Sequence, residues 1–67
     1  MVQIVVNGEK KEVKENINIK EMINSLGYKD KFFAVALNGT FVELKKYEDT
    51  KIKMSDEIEI LAPMVGG

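Results

Sequence analysis

An α+β fold, with one mixed sheet of four to five strands packed on one main helix, is what this sequence predicts. Three observations lead there. Residues 18–27 carry helical spacing together with a start and a stop signal. Two Asn-Gly pairs, at 7–8 and 38–39, sit between apolar runs and mark tight hairpins. The first and last regular segments, around Ile4 and Ile58, alternate with the period of a strand.

Taken in order, Val2, Ile4 and Val6 alternate with Gln3 and Val5, which gives a strand with one fully apolar face. Asn7-Gly8 turns the chain, because both residues adopt positive φ cheaply. The return strand is expected over residues 9–15, with Val13 its clear anchor. Its charges suit a solvated edge and discourage pairing with other chains. Asn18 can cap a helix, and Glu21 stands where its capping-box partner belongs. Ile17 and Met22 hold the hydrophobic-staple positions. Ile19, Met22, Ile23 and Leu26 share one helical face, and Gly27 supplies a left-handed stop. That stripe is core material.

Residues 32–37 are continuously apolar, as in a strand covered on at least one face. Asn38-Gly39 turns the chain again. Phe41, Val42 and Leu44 are read as the return strand, with Phe41 facing opposite to Val42. Residues 45–53 are polar and form a loop or short helical turn, with Tyr47 as a plug. Ile52 and Met54 are expected to close the core. Ser55-Asp56 is a turn. The last strand follows, with Ile58 and Ile60 on one face, Glu57 and Glu59 on the other, and Leu61 near its end. The helix can bury its stripe only on a sheet. The simplest closed arrangement puts the last strand beside the first, in parallel, at the sheet centre. That arrangement is a β-grasp.

Composition narrows the function. Sixty-seven residues make one small domain, expected over 1–62, with 63–67 as a flexible C-terminal tail. A domain of this size buries only about 60% of its unfolded surface, so it has a thin core and no room for an enclosed active site. There is no cysteine, hence no disulfide framework, thiolate nucleophile or thiolate metal site, and no histidine to serve as general base or ligand. Ser25 and Ser55 therefore have no histidine to activate them, and catalysis by the chain itself is the weakest reading. No basic region precedes an apolar run at the start, and no stretch approaches the ~20 apolar residues of a membrane span. A cytoplasmic protein is expected. Net charge is −1, and all ten basic residues are lysine, which does not suit a nucleic-acid partner.

The chemistry concentrates in Pro63-Met64-Val65-Gly66-Gly67. Glycine is about 7% of ordinary usage, so a terminal pair arises by chance about 0.5% of the time, which makes the tail worth reading. Gly66 and Gly67 lack a Cβ and can thread a narrow channel. Pro63 ends the strand and holds Ala62 extended. Five extended residues reach ~17 Å. Met64 and Val65 fit no strand alternation and are read as a grip on a partner. The sheet face away from the helix is the expected docking surface, with Phe41, Leu44 or Leu61 as candidates. Glu57 and Glu59 lie beside the tail and suit either steering of a basic partner or plain solvation.

These segments resemble the ThiS family of sulfur-carrier proteins, which have a ubiquitin-like β-grasp. The resemblance rests on Asn7-Gly8-Glu9, on residues 34–39, on residues 56–61 and on the tail, and it covers essentially the whole chain. Ser55 stands where the family often has glycine, and Glu43 where it often has proline. The resemblance implies that an E1-like adenylating enzyme (ThiF-type) uses ATP and magnesium to adenylate Gly67. A sulfur donor, such as a cysteine desulfurase relay, then displaces AMP to leave a thiocarboxylate. A thiazole synthase (ThiG-type) receives the sulfur in thiamin biosynthesis. No cofactor is implied on this chain itself, since ATP and magnesium belong to the partner. Other readings stay open at this stage: a carrier for molybdopterin or another sulfur pathway, a ubiquitin-like protein modifier, and a non-covalent binding module.

Overall fold

The computed structural model describes residues 1–28 and 34–61. In chain order it contains β1 (Val2–Val6), β2 (Glu9–Val13), α1 (Ile19–Ser25), β3 (Ala34–Leu37), β4 (Thr40–Val42), a 3-10 helix (Leu44–Asp49) and β5 (Glu57–Leu61). The five strands form one sheet in the order β2-β1-β5-β3-β4. β1 and β5 run parallel at its centre, and the other neighbours are antiparallel. This is the β-grasp arrangement expected from the sequence.

Both hairpins close through their Asn-Gly pairs. Val6 faces Glu9 across the first turn, and Leu37 faces Thr40 across the second. Asn7 and Gly8 have φ of 50° and 83°, and Asn38 and Gly39 have 50° and 86°. Positive φ at both central residues twists the turn in the sense of the flanking strands.

Helix α1 has only seven residues, too few to persist alone, so its ends and its packing hold it. The Asn18 side chain accepts a 2.8 Å hydrogen bond from the Glu21 N–H, and the Glu21 carboxylate accepts one of 3.1 Å from the Asn18 N–H. This reciprocal cap is worth about 1 kcal/mol. At the other end, Gly27 turns left-handed with φ of 85°. Its N–H donates to Asn24, and the Tyr28 N–H donates to Ile23, the two bonds of a Schellman motif. Ile19, Met22 and Ile23 are buried between these ends against Ile4, Val6, Val13, Val35, Ile58 and Ile60 of the sheet.

The long connection to β5 closes the rest of the core. The Ile19 N–H donates to Thr50, and the Ile52 N–H donates to Ile17, stitching the start of α1 to residues 50–52. Ile52 and Tyr47 are both buried, as expected. Tyr47 is held by a hydrogen bond with the backbone of Val35. Burial pushes its hydroxyl above the ordinary tyrosine pKa, and that hydrogen bond offsets part of the rise.

Three sequence-based expectations change. β2 ends at Val13 rather than at residue 15, because Asn16 takes a positive φ of 62° and redirects the chain toward α1. Leu44 opens the 3-10 helix instead of extending β4, and its side chain is exposed. Met54 is 67% exposed and outside the core. The Asp56 carboxylate accepts from the Lys53 N–H at 2.7 Å, and the Asp56 N–H donates back to Lys53. Residues 53–56 are thereby pulled into a tight turn with Met54 at its tip. The expected start of β3 at residue 32 lies outside the described residues, as does Ala62 at the end of the last strand.

That turn forces Ser55 to φ of 69°, a conformation that costs a side-chain-bearing residue about 1–2 kcal/mol. Glycine relieves this strain but gains freedom in the unfolded chain. Ser55→Gly is therefore expected to stabilise the domain by about 0.5–1 kcal/mol in urea denaturation. For Tyr47, a folded-state pKa above the unfolded one means that stability is intact below about pH 10 and falls as pH rises through the tyrosine range. Wild type should lose more stability than Tyr47→Phe between about pH 9 and pH 11, since the lysine titrations are common to both.

Candidate functional site

Gly67, the predicted site of modification, and Pro63, Met64, Val65 and Gly66 all lie outside the described residues. The structure describes the platform from which they depart. β5 is the central strand, flanked by β1 and β3, and its last residue, Leu61, pairs with Ala34. The tail thus follows a strand that has a neighbour on both sides.

Strand alternation divides β5 between two faces. Ile58 and Ile60 point to the helix side and are buried. Glu57, Glu59 and Leu61 point to the opposite face, and all three are exposed. The pairing register puts Val5 beside Glu57, and Ala36 between Glu59 and Phe41. Phe41 is 65% exposed and Leu61 is 49% exposed, with Ala34 and Ala36 between their strand positions. Next to the end of β5 there is therefore an apolar strip, Phe41–Ala36–Ala34–Leu61, bordered by two carboxylates. Among the described residues neither Glu57 nor Glu59 forms an ion pair; the three salt bridges are Glu9–Lys11, Lys20–Glu48 and Glu43–Lys45.

Of the three docking candidates read from the sequence, Phe41 and Leu61 share this face. Leu44 does not, because it has left the sheet for the 3-10 helix. Phe41 and Val42 do face opposite ways, with Val42 packed against the core.

Sequence reasoning took Asn7 and Asn38 as turn formers only. Each also binds β5 through its side chain. The Ile60 N–H donates to Asn7 Oδ1 at 2.8 Å, and Asn7 Nδ2 donates to the Ile60 carbonyl at 3.2 Å. At the other end of the strand, the Glu57 N–H donates to Asn38 Oδ1 at 2.9 Å, Asn38 Nδ2 donates to the Asp56 carboxylate at 3.0 Å, and the Asn38 N–H donates to the Glu57 carbonyl at 2.7 Å. Two amide side chains therefore finish the pairing where the neighbouring backbones turn away. Asparagine is the turn former whose side chain can do this. Gly offers no side chain to pair with, and Asp offers no donor.

No group of three or more acidic side chains able to hold a metal ion occurs among the described residues. Two depressions among the described residues, about 380 Å³ beside Asn7 and Tyr28 and about 710 Å³ between Met1 and Asn24, are open to solvent. Among the described residues no helix is long and apolar enough to cross a membrane.

Residues 3–67 match the model of the ThiS family. The crystal structure of a thiamine biosynthesis protein (ThiS) from Geobacter metallireducens superposes with a TM-score of 0.82 at 30% identity, covering 98% of this chain and all of that one. The solution structure of a thiamine biosynthesis protein from the same organism gives 0.80 at 30% identity, covering 98% of this chain and 88% of that one. The uncharacterized protein ycf40 of Porphyra purpurea is 26% identical over 66 residues, or 98% of this chain and 93% of its own length.

Proposed function

Because this chain belongs to the ThiS family, matched from residue 3 to residue 67, we propose that it is a sulfur carrier whose working group is the carboxylate of Gly67. The match through the Gly-Gly end is the observation that carries the reading. It is supported by likeness to thiamine biosynthesis proteins over nearly the whole chain, which favours thiazole formation over the molybdopterin pathway.

A carboxylate is a poor electrophile, because its charge repels nucleophiles and its oxygen leaves badly. In the proposed route an E1-like enzyme brings ATP and magnesium. A Gly67 carboxylate oxygen attacks the α-phosphorus of ATP and pyrophosphate leaves, which gives an acyl-adenylate. A sulfide then attacks the acyl carbon and AMP leaves with the bridging oxygen, so one oxygen of Gly67 is replaced by sulfur. Where the donor is an enzyme persulfide, the product is an acyl disulfide. A second thiol cleaves it to the thiocarboxylate and is oxidised in doing so. Activation in one step and displacement in the next is the ordinary logic of covalent acyl transfer. Magnesium acts on the nucleotide at the partner's site. The thiocarboxylate then gives its sulfur to a thiazole synthase.

This chain contributes presentation. Pro63 to Gly67 extend from the end of β5 into the partner's nucleotide site, where glycines fit and larger residues do not. Met64 and Val65 grip the channel. The Phe41–Leu61 strip rests on the enzyme, and Glu57 and Glu59 orient the approach toward basic groups. Each part keeps reactivity off the domain and in the enzyme.

Three outcomes follow. After incubation with ATP, magnesium, an active E1-like enzyme and sulfide, intact mass should rise by the difference between sulfur and oxygen, localised to Gly67. Deleting Gly67 should abolish the gain without changing the melting temperature; normal loading of the deletion variant would sink the carrier reading. Phe41→Glu, at an exposed position, should leave stability within about 0.5 kcal/mol while weakening enzyme binding by about tenfold or more, a typical loss for an apolar anchor.

A further inference from the structure

We propose that Asn7 is the positioning residue for the root of the tail: its side-chain amide carries the pairing of β5 on the β1 side as far as Ile60 and so holds the end of the described strand. The inference rests on the carrier reading only for its kinetic consequence.

The argument starts from the parallel ladder. The Val5 N–H donates to the Asp56 carbonyl, and the Asn7 N–H donates to the Ile58 carbonyl. The next rung needs a β1 acceptor for the Ile60 N–H and a further donor for the Ile60 carbonyl. β1 cannot supply them from its backbone, because φ of 50° at Asn7 swings the chain into the hairpin turn. The Asn7 side chain supplies both. A primary amide has the same donor and acceptor as a peptide group, so Asn7 Oδ1 and Nδ2 extend the ladder by one rung at Ile60. Ile60 is the last buried residue before Leu61 and the tail. Without this rung, the β1 side of β5 would be paired only as far as Ile58, three residues before Leu61.

This placement has a kinetic meaning. A reacting carboxylate seven residues beyond Ile60 must enter a site on another protein. Freedom at the base of the tail multiplies the orientations that miss that site, and misplacement of a reacting atom is costly to rate. Docking through the sheet face is a separate contact and does not pass through Asn7. Loosening the rung should therefore lower the rate of the docked complex and leave docking intact.

Asn7→Gly is the cleanest variant, because glycine tolerates the turn and removes only the amide. Asn38→Gly is its control, removing the corresponding amide at the opposite end of β5. Asn7→Asp keeps the turn and the acceptor but loses the donor, and should fall between wild type and Asn7→Gly. The measurements are amide hydrogen exchange and the kinetics of ATP–pyrophosphate exchange by the E1-like enzyme with carrier as the varied substrate. In Asn7→Gly the Ile60 amide should exchange about tenfold or more faster relative to the Ile58 amide, the loss expected for two neutral hydrogen bonds. Its kcat should fall by about tenfold with KM within about twofold. Asn38→Gly should speed exchange at Glu57 and leave kcat near wild type. Unchanged Ile60 exchange in Asn7→Gly, or an equal loss of kcat in both glycine variants, would overturn the proposal. If wild type itself is not adenylated, the carrier reading falls, and the exchange at Ile60 alone decides whether Asn7 holds the strand end.

Discussion

The parallel pairing of β1 with β5 is the constraint on which the rest of this domain depends. It places the last strand of the chain in the middle of the sheet, with Ile58 and Ile60 buried against the helix. Parallel neighbours cannot be joined by a tight turn, so the intervening chain has to cross the sheet. Here that crossing holds α1, which covers one face, and the β3–β4 hairpin, which closes the far edge. The stitch between residues 17–19 and 50–52 holds the crossing together. Each remaining feature answers a problem that this insertion creates. Strand β5 is longer than the backbone pairing its neighbours offer at its two ends, and the two asparagine amides make up the difference.

Much of this was legible in the sequence, because the local signals agreed with the global solution. Asn18 with Glu21, Gly27 after Leu26, and two Asn-Gly pairs each name a backbone conformation with a chemical reason. The parallel central pair followed from the apolar alternation around Ile4 and Ile58. What failed to read out was apolar residues in irregular segments. Leu44 reads as the end of a strand and Met54 as core, but no periodicity ties either to a face. Their positions are set by the Leu44–Asp49 helical turn and by the Asp56 cap on Lys53, which are tertiary outcomes. Positive φ at Asn16 and Ser55 was equally invisible, since neither stands in an Asn-Gly pair.

The candidate site divides in the same way. Phe41 and Leu61 could be placed on one face because strand alternation is strict, and the structure puts them there with two alanines between. The second role of Asn7 was out of reach of sequence alone. A turn-forming asparagine and a ladder-extending asparagine look identical until the partner strand is known to be parallel and to run past the turn. The glycines with the proposed chemistry, Gly66 and Gly67, take their meaning from their position in the chain and from their lack of bulk. Packing says nothing about either.

The chain has neither histidine nor cysteine, and in the proposed carrier role what the domain offers its partner is geometry. The requirements conflict. In that role the reacting end would have to be slender and free enough to enter another protein's site, yet each degree of freedom at its base would lower the fraction of encounters in which the carboxylate arrives. A central strand resolves the conflict better than an edge strand, because it has a neighbour on both sides. On the β3 side that pairing runs to Ala34 opposite Leu61. On the β1 side the backbone turns away three residues earlier, after Val6 beside Ile58. Among the described residues, the flank of β5 at Ile60 thus lacks a backbone partner on the β1 side, and the Asn7 amide occupies it.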